Sequence, residues 1–199
     1  MMGGSEMVME PGGEKKQKIV ETAKKVFAEK SFFDATLEEI SELSGVKKST
    51  IYYYFESKLD LLMEILETTI HQVTARIDEL LLLEDRKKII RSLIDGYFDF
   101  FRQERDLVLL LHRVEFDLFC HQEAHRRMEA IFAHLQRMWD RVAERIGDVQ
   151  LRDGLRIEGR KLIRMISASI MGYCIEELQR GETISEEDRE FLKEIFTAF

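Results

Sequence analysis

Internal proline is missing from this chain. Of its 199 residues only Pro11 is proline, so beyond the first dozen positions nothing forbids one helix after another. Cysteine is nearly missing as well. Cys120 and Cys174 stand alone, too few for a disulfide framework; free thiols in a reducing compartment are the simpler expectation, with a single bridge left open. No apolar run approaches the roughly 20 residues that span a bilayer, and no basic stretch precedes an apolar one, so neither a membrane partner nor a signal peptide is expected. Alternating polar and apolar runs long enough for a strand are lacking. Nucleophile elbows, phosphate-binding glycine loops and paired acid–base motifs are lacking too, so the expectation is not an enzyme, with no cofactor.

Acidic groups outnumber basic ones, 38 to 30, for a net charge of -8. Such a balance taken whole argues against nucleic acid, but the charge is unevenly placed. Residues 14–58 hold nine lysines, no arginine and eight acids, a net of +1, while residues 59–199 carry -7. Lysines gathered on one face of a near-neutral segment can still bind DNA, or they can be a solvated helix surface.

Hydrophobic spacing predicts an all-α protein of about nine helices. Residues 1–13 read as a disordered tail. A helix follows over 14–30, with Ile19, Ala23, Val26, Phe27 and Lys30 on one face. Thr36 is placed to cap a second helix, with Glu39 as the box partner; Leu37, Ile40 and Leu43 are expected to face inward. Gly45 suits a left-handed stop. A third helix is expected over about 48–55, and Ser57 with Asp60 caps a fourth. Further helices are predicted over 86–103, 106–119, 122–146, 155–180 and 186–197, with residues 148–154 as a loop. The domains predicted are the tail at 1–13, a small helical head at 14–60 and a larger helical body at 61–199.

The informative stretch is Thr36 to Leu62, TLEEISELSGVKKSTIYYYFESKLDLL. Two short helices meet at Gly45, and the second is small enough for the roughly 12 Å wide major groove. Ile51 and Phe55, four apart, can anchor it. Thr50 and Tyr53 then share an outward face, flanked by Ser49 and Tyr52. Three consecutive tyrosines cannot all be buried on one side of a helix, although any single one can join the core. With no arginine in the head, readout is expected to rest on tyrosine and threonine contacts and on DNA shape.

This stretch resembles the DNA-binding domain of the TetR family of regulators. The matching residues are Thr36, Gly45-Val46, Thr50-Ile51-Tyr52, Tyr53-Tyr54-Phe55 and Lys58. The resemblance implies a three-helix helix-turn-helix DNA-binding head at 14–60 on a larger helical effector-binding and dimerisation body at 61–199. It also implies a phosphate contact at Thr36, base or phosphate contacts from Lys48, Thr50, Tyr52 and Tyr53, and a phosphate clamp at Tyr54 and Lys58; Lys47 and Ser49 complete the DNA-binding set. Two departures stand out. Lys47 occupies a place where family members usually cap the third helix with Ser or Thr, and Ser31 replaces a usual glycine. A left-handed Ser31 would carry a penalty of about 1–2 kcal/mol.

One head touches too few base pairs to find a site in a genome, so two heads on a palindromic double-stranded operator are expected. That makes the chain a homodimer. The predicted interface lies on the last two helices, at Leu162, Ile166, Ile170, Tyr173, Phe191 and Ile195, with small residues near Ser169 permitting close approach; these faces can also be intrachain core. The resemblance implies a small-molecule effector in the body. Phe98, Phe101, His112, Phe116, Phe119, Met128, Phe132, Trp139, Met165 and Cys174 are the candidate pocket, and an apolar or amphipathic ligand would suit it. His121 and His125 have metal-ligand spacing, but no further clustered ligand follows, so no metal is expected. The function implied is a repressor that leaves its operator when the effector binds, in the cytoplasm of a bacterial or archaeal cell and nucleoid-associated when bound. The alternatives are an effector-independent architectural DNA binder and an activator.

Overall fold

The computed structural model describes residues 11–110, 122–151, 154–181 and 185–198. The predicted all-α class holds. The helices are α1 (Pro11–Glu29), α2 (Leu37–Ser44), α3 (Lys48–Tyr54), α4 (Lys58–Leu80), α5 (Arg86–Gln103), α6 (Gln122–Ile146), α7 (Gly159–Arg180) and α8 (Glu186–Thr197). Between α5 and α6, residues 105–110 are also helical, and Leu107, Val108 and Leu110 are buried. The remainder of the helix predicted over 106–119 lies outside the described residues, as does the tail over 1–10.

The caps form where the sequence places them. Thr36 Oγ1 accepts from Glu39 N at 3.2 Å, Ser57 Oγ from Asp60 N at 3.1 Å, and Asp85 Oδ1 from Lys87 N at 2.8 Å. Gly45 ends α2 at φ 65°, in the left-handed region. Four expectations need correction. First, α1 starts at Pro11, inside the predicted tail; proline lacks only an amide that the first turn cannot use, and its φ already suits a helix. Second, Leu43 is 64% exposed, and Ser44 takes the inward place beside Leu37 and Ile40. Ser44 tolerates burial because its hydroxyl accepts from Val46 N at 3.2 Å. Third, Ser31 is not left-handed, since no described non-glycine residue has positive φ. Its hydroxyl instead closes a turn with Asp34, accepting from Asp34 N and donating to the carboxylate. Fourth, the helix predicted from 155 begins at Gly159. A two-residue antiparallel hairpin precedes it, β1 (Val149–Gln150) paired with β2 (Arg156–Ile157), in register Val149↔Ile157. Strands so short give no alternation to read. The hairpin is pinned by buried Val149 and by Arg156 on Asp148, while Gly159 sits where a Cβ would lie 2.5 Å from the Ala143 carbonyl.

Two apolar cores form. The first holds Ile19, Phe27, Ile40, Ile51, Phe55 and Leu61, and it extends to Leu107, Leu110, Met128 and Ile131. The head is therefore packed onto the body, and α4 runs through both. The second joins α5, α6, α7 and α8 around Ile89, Ile94, Phe98, Val142, Ile166 and Phe196.

Candidate nucleic-acid interface

The third helix is seven residues long and is held from beneath. Ile51 is fully buried and Phe55 nearly so. One residue spacing thus fixes which side faces out. Tyr53 is 81% exposed and Tyr52 49%, while Tyr54 is half-buried against the first core. Tyr53 leans edge-on against Tyr54 with ring centroids 5.0 Å apart, which stiffens an otherwise free ring. Thr36, Lys47 and Ser49 are exposed beside this face, and Lys48 and Thr50 are half-buried.

The lysines divide into two kinds. Lys47 begins α3 without a side-chain cap, and no ion pair engages it among the described residues. Lys48 is paired with Glu38 on α2 and lies 5.7 Å from the Tyr52 ring centroid. A phosphate must displace Glu38 to claim it. Lys58 turns inward. Its Nζ donates to the Ala35 carbonyl at 2.6 Å and the Phe33 carbonyl at 3.3 Å, and it sits 4.6 Å from the Phe32 centroid. Burial lowers its pKa. Lys58 therefore fastens α4 to the α1–α2 loop, with one ammonium proton left for a phosphate.

The body contains a cavity of about 390 Å³, within the roughly 300–1,000 Å³ of small-molecule sites. Of the predicted pocket residues, Phe101, Met128, Phe132 and Trp139 line it. Phe98 and Cys174 do not; both are buried in the second core, where burial pushes the Cys174 thiol up to about 12. Met165 is exposed on α7, away from the lining. His112, Phe116 and Phe119 lie outside the described residues, as do Cys120 and His121. Sequence reading missed the wall supplied by α4, including Leu66, Ile70, Val73 and Ile77. The signal was an apolar stripe on α4 that continues beyond the length of the head. Tyr97 lines the cavity as well; it stacks on Trp139 at 5.8 Å, and its hydroxyl donates to Ser167 Oγ at 3.0 Å.

The predicted dimer face splits by exposure. Leu162, Ile166 and Ile170 are buried within the chain, because a stripe spaced by four on α7 packs against α5 and α6. Phe191 and Ile195 are 61% and 47% exposed, whereas Leu192 and Phe196, one position on, fill the core. Tyr173 is half-buried and hydrogen-bonded to Asp188, which raises its pKa to about 12. The exposed side of α7 carries Met165, Ala168, Ser169 and Gly172.

Residues 19–65 match the family model described as bacterial regulatory proteins, tetR family. The HTH-type transcriptional regulator YerO of Bacillus subtilis (strain 168) is 33% identical over 101 residues, covering 49% of this chain and 35% of that protein. The HTH-type transcriptional activator FasR of Mycolicibacterium smegmatis is 25% identical over 95 residues, covering 47% of this chain and 43% of that one. The chain thus spans less than half the length of these two curated relatives. The fold extends further. The structure of the transcriptional regulator FadR from Bacillus subtilis, in complex with stearoyl-CoA, superposes with a TM-score of 0.72 at 17% identity, covering 92% of this chain and 97% of that one.

Proposed function

We propose that the chain is a transcriptional regulator of the TetR family, as the match of its head to that family's model supports, and that it binds a palindromic operator as a homodimer and leaves it when a small apolar or amphipathic molecule enters the body. The observation that carries the DNA half is the exposure of Tyr52 and Tyr53 on a helix whose opposite side is locked by Ile51 and Phe55. Rings so exposed bury little area within the chain, and the edge-on contact with Tyr54 holds Tyr53 in place on the outer face. Beside Tyr52 and Tyr53 stand Thr36, Ser49 and the ammonium of Lys47, which is in no ion pair among the described residues, as a surface that meets bases and phosphates requires.

Two heads must present this surface to successive grooves. The pairing face we assign is the exposed side of α7 and α8, with Met165, Ala168, Ser169, Gly172, Phe191 and Ile195. Small residues there let two helices approach closely, and large apolar side chains flank them. The head runs over about 14–60 and the effector-binding and pairing body over 61–199, with α4 shared.

The ligand half rests on the cavity and on one helix that touches both regions. On α6, Met128, Phe132 and Trp139 line the cavity, while Arg127 Nη1 donates to Asp60 Oδ1 at 2.5 Å, in the first turn of α4. A ligand that moves α6 thereby moves the head, shifting the population away from the DNA-competent spacing. The stearoyl-CoA complex of the similarly folded FadR supports an amphipathic occupant.

Selection of bound duplexes from a random pool tests the reading. A two-fold symmetric site with half-sites about 34 Å apart is expected; an asymmetric site, or none, overturns it. On the selected operator, Tyr53→Ala is expected to narrow the gap between specific and random DNA by about 1–3 kcal/mol. Lys47→Ala should weaken both equally and reduce the salt slope by about 1. Operator held unchanged across a metabolite panel that produces no thermal shift would favour the effector-independent architectural protein.

A further inference from the structure

Four side chains that line the cavity carry a charge or a hydroxyl, and two of them are already satisfied. Thr69 Oγ1 donates to the Ile65 carbonyl at 2.7 Å, and the Tyr97 hydroxyl donates to Ser167. Arg76 on α4 and Ser92 on α5 are different: neither has a hydrogen-bond or ion-pair partner among the described residues. Nearby arginines are engaged, Arg141 with Asp78 at 2.7 Å and Arg145 with the Leu83 carbonyl at 2.7 Å. Arg76 is exposed, as are the lining residues Gly96, Phe132 and Met171, so the guanidinium stands where the cavity opens to water.

The rest of the space is apolar and elongated. Along α4 the lining runs from Leu66 to Leu80, about 21 Å at the helical rise. Gly96, in the middle of α5, faces this space, and a Cβ there would meet nothing within 4 Å. Glycine inside a helix is unfavourable relative to alanine, and no crowded neighbour requires it here. Its effect is to widen the cavity beside Tyr97.

We propose that the cavity takes single-chain amphiphiles with an anionic head, a carboxylate or a phosphate, the tail lying along α4 past Gly96 and the head on Arg76 and Ser92. The guanidinium offers paired donors that match either oxyanion, and its position at the opening keeps the head partly hydrated while the tail is buried. This deepens the ligand-responsive reading given above and rests on it only for the consequence at DNA.

Trp139 is the sole tryptophan, and it stands in the cavity wall, so its fluorescence reports occupancy in the full chain without DNA. The probes are dodecanoate, dodecyl phosphate, dodecanol and dodecyltrimethylammonium, each below its micelle-forming concentration. Both anions are expected to bind about tenfold or more tightly than dodecanol, and the cation weakest. Arg76→Ala should bring the anions down to the dodecanol level, Arg76→Lys should keep part of the preference, and Gly96→Leu should abolish binding of all four. A stronger response to carboxylate than to phosphate, or the reverse, supports the proposal and names the head. Equal binding of dodecanol and the anions overturns it, as does a preference that survives Arg76→Ala or a cavity that takes none of the four. Anion selectivity with no release of the selected operator upholds the ligand class and overturns the ligand-responsive reading instead.

Discussion

The head and the body solve different problems with the same kind of helix. In the head, α1, the short helices α2 and α3 and the start of α4 close around Phe27, Ile40, Ile51 and Phe55, and ion pairs there use lysine: Lys30 on Glu39, Lys16 on Glu64. In the body, the helices diverge enough to leave a cavity of about 390 Å³ between α4, α5 and α6. Arginines tie their outer faces, Arg189 reaching Asp95 and Asp99 and Arg91 reaching Glu194. A reading surface must be rigid, so its support is filled. The proposed ligand response calls for two arrangements close in energy, and the support there is left partly empty.

Truncating an aromatic in each region puts the largest strain on that contrast. Phe27 is buried with its ring 5.9 Å from Phe32. Phe27→Ala is expected to cost about 3–5 kcal/mol. Phe132, half-exposed at the cavity rim, has little packing to lose, and Phe132→Ala should cost about 1 kcal/mol or less. Urea unfolding of the two variants measures both. Similar losses would mean that the cavity rim is as tightly packed as the head.

The same contrast governs what the sequence made legible. Signals in the head are local. A cap and its acceptor lie three residues apart, the left-handed glycine marks its own turn, and Ile51 with Phe55 determine which tyrosines face out. The body's boundaries were legible for the same reason, since α5, α6 and α8 fall where caps and periodicity place them. The cavity was not, because it is an absence left between distant segments. No spacing distinguishes Phe98, which fills the core, from Phe101, which lines the hole. The buried and exposed stripes of α7 and α8 were likewise indistinguishable by composition: Leu192 and Phe196 point in, Phe191 and Ile195 out. The inward turn of Lys58 escaped because its partners, the carbonyls of Phe33 and Ala35, are backbone atoms 25 and 23 residues away.

Two glycines sharpen the comparison with a smaller effect of opposite sign. Gly45 has φ 65° in the tight turn between α2 and α3. Gly45→Ala forces a side chain into the left-handed region, and a loss of about 1–2 kcal/mol is expected. Gly96 is helical and faces open space, so Gly96→Ala should gain about 0.5–1 kcal/mol. Opposite shifts in Tm are the expected result. A loss at Gly96 would show that the cavity wall has no room for even one methyl group.

The smallest effect concerns the contact that joins the two regions. Asp60 accepts from the Ser57 hydroxyl at 2.7 Å and from Arg127 at 2.5 Å. The Ser57 hydroxyl first, and then the Arg127 guanidinium, hold its carboxyl below the ordinary aspartate value of 3.8. A folded-state pKa below the unfolded one gives stability that is present in full above the unfolded value and fades as pH falls through the folded one. Both side chains are about one third exposed, so water screens the pair and its worth is at most about 1 kcal/mol. Arg127→Ala should therefore lower stability slightly near pH 7 and flatten the acid limb of the stability curve below the ordinary aspartate value of 3.8. Asp60→Asn should flatten the same limb, because no proton is left to bind there. If Arg127 is also the lever between cavity and head, its alanine variant must still bind ligand as the parent does, yet release the operator less completely. A variant that releases the operator fully would place the coupling in the apolar contacts of Met128 and Ile131 with the head core instead.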